Sequence, residues 1–169
     1  MNQAAMKKSP AVQLQARFVN GKALLIAGLR GRYSSETRKN IPDLWQRFAP
    51  HIGNIPGQVG QVAYGLCFNA LSPDGMDYLA GVEVSSSSGL PGNFSVASIS
   101  AQKYAVFSHR EHVSKIYQTE EAIDKWLPGS GLQVAYETTE APNFFERYSE
   151  AFDPRTGMGG MEVWVAIKS

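Results

Sequence analysis

The 169-residue chain contains one cysteine, Cys67, and three histidines. A single thiol excludes an intrachain disulfide and any multi-cysteine metal site. Cys67 falls inside an apolar strand pattern, where a free cysteine reads as buried filler. His109 and His112 would face opposite sides of a strand, with no aspartate or cysteine cluster beside them, so neither metal nor cofactor is expected. No apolar run approaches the roughly 20 residues of a membrane span. Met1 to Leu14 carries Lys7 and Lys8 without the apolar core of a leader, so the expectation is a cytoplasmic protein with no membrane partner. Excess positive charge is also scarce. The formal net charge is +1 with 18% charged residues, which lacks the clustered excess that neutralises phosphates, and no direct nucleic-acid partner is expected. No glycine-rich phosphate loop opens a helix, because Gly157-Met158-Gly159-Gly160 precedes a strand, and no Gly-x-Ser-x-Gly elbow is present.

What is present is an internal duplication. Gln61-Val62-Ala63-Tyr64 recurs as Gln133-Val134-Ala135-Tyr136, and Gly81-Val82-Glu83-Val84 as Gly160-Met161-Glu162-Val163. Lys22 and Trp45 find counterparts at Lys103 and Trp126. The Ser/Gly/Pro-rich stretch Ser85 to Asn93 divides the halves, giving a flexible segment 1–11 and one domain 12–169 built from halves 12–92 and 93–169. Charge divides unevenly: nine Lys/Arg against five Asp/Glu through Gly92, then seven against ten.

Hydrophobic period switches in the same order in each half. Val12 to Phe18 and Ala23 to Leu29 read as strand segments around Asn20-Gly21. Ile41, Leu44, Trp45 and Phe48 follow helical spacing, behind Asn40 as N-cap and ahead of Pro50. Strands are predicted at Val62 to Asn69 and Tyr78 to Val84, across the turn Ser72-Pro73-Asp74-Gly75. The second half gives a strand from Ser95 to Phe107, a helix from Ser114 to Leu127, and strands from Gln133 to Thr138 and Met161 to Ile167, the last two joined by a long loop, Thr139 to Gly160. The fold class is therefore α+β: duplicated βαββ halves with pseudo-twofold symmetry, and an antiparallel sheet whose two helices flank a ligand groove.

Alternation along the last strand puts Glu162 and Trp164 on one face. Tyr64 and Phe68 share a face of an earlier strand, and Tyr136 lies in its counterpart; these rings could stack on a flat ligand or simply fill the core. In the long loop, Phe144-Phe145-Glu146-Arg147-Tyr148 encloses a glutamate between aromatic residues, which leaves it either solvated or facing a cation. A desolvated cation–π contact contributes about 2 kcal/mol or more, so rings around Glu146 would suit a delocalised organic cation.

These features together resemble the GyrI-like, or AraC-type, effector-binding domains. The residues that carry the resemblance are Ile41-Pro42-x-Leu44-Trp45-x-x-Phe48, Tyr78-x-x-Gly81-Val82-Glu83-Val84, Lys103-Tyr104-Ala105-Val106-Phe107-x-His109, Trp126-Leu127-Pro128, Glu146-x-Tyr148 and Glu162-x-Trp164, from about Val12 to Ile167. The sequence departs from the family pattern in ending Trp164-Val165-Ala166-Ile167 and in a lengthened Gly157 to Gly160 loop. The resemblance implies a bacterial small-molecule sensor or sequestration protein, of the multidrug-binding kind linked to transcription regulation, that takes an amphipathic, cationic or aromatic ligand. Glu146 would be its buried counter-charge, with Glu162, Trp164, Tyr64, Phe68, Tyr136, Trp126 and Tyr148 around the ligand. The short segment before the first strand leaves no room for a helix-turn-helix, so a regulatory role would need a separate protein partner. The same resemblance leaves two alternatives: a hydrolase of cyclopropane-bearing or other electrophilic natural products, using Glu146 and Tyr148 as catalytic residues, and a protein-interaction inhibitor such as a gyrase inhibitor.

Overall fold

The computed structural model describes residues 14–70, 72–135 and 141–168. Eight antiparallel strands form one sheet: β1 (Arg17–Gly21), β2 (Leu24–Tyr33), β3 (Gln58–Phe68), β4 (Met76–Val84), β5 (Ser95–Ile99), β6 (Gln102–His109), β7 (Phe144–Tyr148) and β8 (Met161–Ile167). Helix α1 (Ile41–Phe48) follows β2, and α2 (Ile116–Trp126) follows β6.

The strand order is β1-β6-β8-β7-β3-β4-β2-β5. Exchanging β1 with β5, β2 with β6, β3 with β7 and β4 with β8 reverses this order onto itself, which is the pseudo-twofold relation expected from the repeats. The axis passes between the two central strands, where residues 63–67 of β3 face residues 148–144 of β7 and Gly65 lies opposite Glu146. Each half's first strand crosses to the far edge of the other half, β1 on β6 and β5 on β2.

The third strand of the second half is therefore Phe144–Tyr148, not the stretch from Gln133 to Thr138. Val134 makes only an isolated bridge to Ile167, and residues 136–140, including Tyr136, lie outside those described, as does the expected N-terminal segment 1–11. Of the second Gln-Val-Ala-Tyr copy, residues 133–135 therefore lie beside β8 and not in the place equivalent to β3. The strand predicted from Ser95 to Phe107 is two strands, β5 and β6.

Helix α1 begins and ends where periodicity and proline place it, with Pro42 in its first turn. Asn40 does not cap it through its side chain, because a 3-10 turn over Arg38–Asn40 runs directly into the helix. Leu44 and Phe48 of α1 pack over Cys67, Tyr78, Ala80 and Val82, while Ile123 of α2 packs over Ala105, Phe107, Val163 and Val165. Fully burying each such side chain contributes on the order of 1.5–3 kcal/mol. Both helices thus lie on one face. The other face carries a third cluster, with Tyr64, Leu66, Phe68, Tyr104 and Phe145, to which neither helix contributes.

Candidate functional site

Alternation decides which residues can meet. On β7, Glu146 and Tyr148 point to the helix face and Arg147 to the other, since cross-strand partners share a face and Glu146 is paired with Val163 while Arg147 is paired with Glu162. Glu146 is 5% exposed. Its position mid-strand at the sheet centre, rather than in a loop, is what buries it.

Two tyrosines satisfy one carboxylate oxygen. The Tyr78 hydroxyl donates to Glu146 Oε1 at 2.6 Å and the Tyr148 hydroxyl donates to the same atom at 2.7 Å. Trp45 Nε1 of α1 donates in turn to the Tyr78 hydroxyl at 2.9 Å. Trp45 also packs edge-on against Tyr148, with ring centroids 5.4 Å apart. Burial, and after it the Glu146 charge, pushes both tyrosine hydroxyls well above their ordinary range, so they remain donors. Gly65 makes the space for this cluster: a Cβ there would lie 2.6 Å from Tyr78 Cζ and 2.9 Å from Glu146 Oε1. Among the described residues, no lysine or arginine forms a salt bridge with Glu146.

A second carboxyl enters from the opposite wall. Glu120 of α2 lies beside Glu146, and burial first, then the Glu146 charge, pushes Glu120 well above the usual carboxylate range. Its Oε2 is sequestered from solvent and meets no donor group, although the residue as a whole is only half-buried. Two ionised carboxylates side by side repel and have no donor between them, so the pair is stabilised by holding one proton. Beside this pair a shallow recess lined by Glu120, Ile123, Asp124, Phe144, Val163 and Val165 has room for about one water molecule.

Of the residues singled out in the sequence, Glu146 and Tyr148 come together. Trp126 is on the helix face but packs edge-on against Phe107, with centroids 5.5 Å apart. Glu162, Trp164, Tyr64 and Phe68 sit on the opposite face, so they cannot form one cage with Glu146. There Glu162 is already paired: Arg17 lies 2.7 Å from one oxygen, Arg147 lies 3.6 Å from the other, and Trp164 Nε1 donates at 3.0 Å. Burial alone would raise the Glu162 pKa, but the bonds from Arg17 and Trp164 and the two arginine charges outweigh it and hold it below the ordinary value. Phe145 and Trp164 stack at 5.4 Å, and Arg147 lies over Trp164. Phe68 carries Arg30 over its ring at 4.2 Å.

Sequence reasoning missed Tyr78, Trp45 and Glu120 as site residues. The signal for Glu120 was in the helix itself: Ile116, Thr119, Glu120 and Ile123 recur at i, i+3, i+4 and i+7, which puts a carboxyl in the apolar stripe of α2. Thr119 in the same stripe is satisfied, 2.8 Å from His109 Nδ1.

This architecture recurs in known proteins. A structure of SAV2435 bound to tetraphenylphosphonium matches with a TM-score of 0.71 at 21% identity, covering 92% of this chain and 94% of that one. The C-terminal domain of EcmrR matches with a TM-score of 0.65 at 13% identity, covering 92% and 98%. At these identities the likeness carries the fold. The transcriptional regulator BrlR of Pseudomonas aeruginosa is 30% identical over 152 residues, which are 85% of this chain and 53% of BrlR, so the chain spans about half the length of that curated relative. No helix among the described residues is long and apolar enough to cross a membrane. The GyrI-like small molecule binding domain matches residues 14–168, the whole sheet with both helices, and the chain belongs to that family.

Proposed function

We propose that the groove between α1 and α2 binds an amphipathic organic cation, with Glu146 as its counter-charge and Trp45, Tyr78 and Tyr148 as its aromatic wall. The observation that carries this reading is a carboxylate buried at the sheet centre, held by two tyrosine donors, with no basic residue of the described chain paired to it. A buried anion without a cation is costly, and a ligand cation removes that cost while gaining cation–π contacts worth about 2 kcal/mol or more when desolvated. The tetraphenylphosphonium bound by SAV2435 is a cation of this class. The recess holds about one water molecule, so entry of a larger ligand requires the groove to open, with half-buried Trp45 and Phe144 as the side chains that move. Such a domain serves as a sensor or sequestering protein.

Calorimetric titration with N-methyl-4-phenylpyridinium and with neutral 4-methylbiphenyl tests the reading. Glu146→Gln should cost the cation at least about tenfold in affinity and leave the neutral analogue nearly unchanged. Equal losses for both would remove Glu146 as counter-charge.

A second reading is favoured by the closeness of two carboxyls, with burial holding Glu120 towards its protonated form beside Glu146, an arrangement that could supply the acid and base that hydrolysis of a strained, electrophilic ligand requires. Product mass after incubation distinguishes it, because a binding protein returns its ligand unchanged.

A further inference from the structure

The Glu146 carboxylate has one partner whose charge is not fixed. Glu120 reaches it from α2, across the groove from α1, with Oε2 enclosed and lacking any donor group. The recess beside it is lined by Ile123, Phe144, Val163 and Val165, with Asp124 at its edge. We propose that Glu120 is the second counter-charge of this site, selecting ligands that carry two positive centres and giving up one proton to solvent when such a ligand binds.

This rests on the cation-binding reading of the groove. With one proton between them, the two carboxyls carry a single negative charge, which a monocation neutralises with the proton still in place. A dication leaves one positive charge over unless Glu120 ionises. Its binding therefore couples to loss of the proton, and below the pKa of Glu120 its affinity rises about tenfold per pH unit. A monocation gains no such slope.

The other groups that face Glu120 do not supply the proton. Tyr148 on β7 and Cys67 on β3, and Tyr78 on β4 beside Glu146, are each driven further towards their neutral forms by burial. Asp124, one turn along α2, adds negative charge and raises Glu120 further, while Arg38, ahead of α1, opposes this from an exposed position. Glutamine at 120 would keep a donor to Glu146 and remove the titration, which separates charge from packing.

The experiment is calorimetry with two permanent cations of nearly the same shape, N-methyl-4-phenylpyridinium and N,N′-dimethyl-4,4′-bipyridinium, in buffers of different ionisation enthalpy. The wild-type protein should release about one proton on binding the dication and none on binding the monocation. Glu120→Gln should abolish that release and weaken the dication at least about tenfold at the alkaline end of the titration, while changing the monocation little. Equal proton release for both cations, or an affinity ratio unchanged by Glu120→Gln, overturns the role of Glu120 and leaves the groove a cation site. Failure of both cations to bind overturns the groove reading itself, and this proposal with it.

Discussion

Gly65 lies directly across the β3–β7 pair from Glu146, the two positions being related by the pseudo-twofold axis at the centre of the sheet. One half contributes a residue with no side chain so that the other can place a carboxylate, and the Tyr78 hydroxyl occupies the space a Cβ at 65 would need. Gly65→Ala should therefore destabilise the protein by about 1–3 kcal/mol through overpacking, measured by urea denaturation. A change within about 0.5 kcal/mol would mean that the cluster has slack the geometry does not show.

Tyr78 and Tyr148 donate to the same oxygen, so their removal is not independent. Each Tyr→Phe change removes a hydrogen bond to a charged group, expected to cost about 1.5–3 kcal/mol. A double-mutant cycle should give a coupling of at least about 0.5 kcal/mol, because the second deletion leaves Oε1 with neither donor. Strict additivity would argue that the two bonds do not converge on one atom.

Stability should depend on pH through Glu120 in a defined direction. The folded state holds its proton more tightly than the unfolded chain does, so the folded protein binds more protons between the ordinary carboxylate pKa and the raised one. Stability then falls as pH rises across that window, and Glu120→Gln should flatten the fall. Thermal melts of both proteins over the same pH series check it; parallel curves would show that Glu120 is not the group responsible.

Glu162 should behave in the opposite sense. Its folded pKa is depressed, so its contribution is present above the unfolded value and is lost as pH falls through the folded one. Glu162→Gln should lower stability at neutral pH and converge on the wild type in acid. Cation affinity should be unchanged, since Glu162 lies on the other face with Arg17 and Arg147. A loss of cation affinity in this variant would shift attention to that face.

Much of this was legible in the sequence. Helix α1, strands β4 and β8 and the two halves follow from periodicity and turn chemistry, which act locally, whereas Glu146 and Tyr148 stood out together through the family resemblance. What the chain does not display is which strand occupies the sheet centre. The Gln-Val-Ala-Tyr repeat pointed to residues 133–138, yet residues 144–148 take the place equivalent to β3, because a short strand with aromatic residues on both faces fits between β3 and β8. That substitution separates Glu146 from Glu162 and Trp164, which alternation along single strands cannot reveal. Glu120 was overlooked because a charged residue in a helix is usually solvated; its place in the apolar stripe of α2 was the sign that it is not.

The central claim is that a cation sits on the helix face against Glu146, and the opposite face offers a rival carboxylate and aromatic pair in Glu162 and Trp164. Tetraphenylarsonium carries its own anomalous scatterer, so a crystal of the complex locates the charge directly. The account predicts an arsenic peak between α1 and α2, nearest Glu146 and within reach of the Trp45 and Tyr148 rings. A peak beside Trp164 and Glu162 would contradict it.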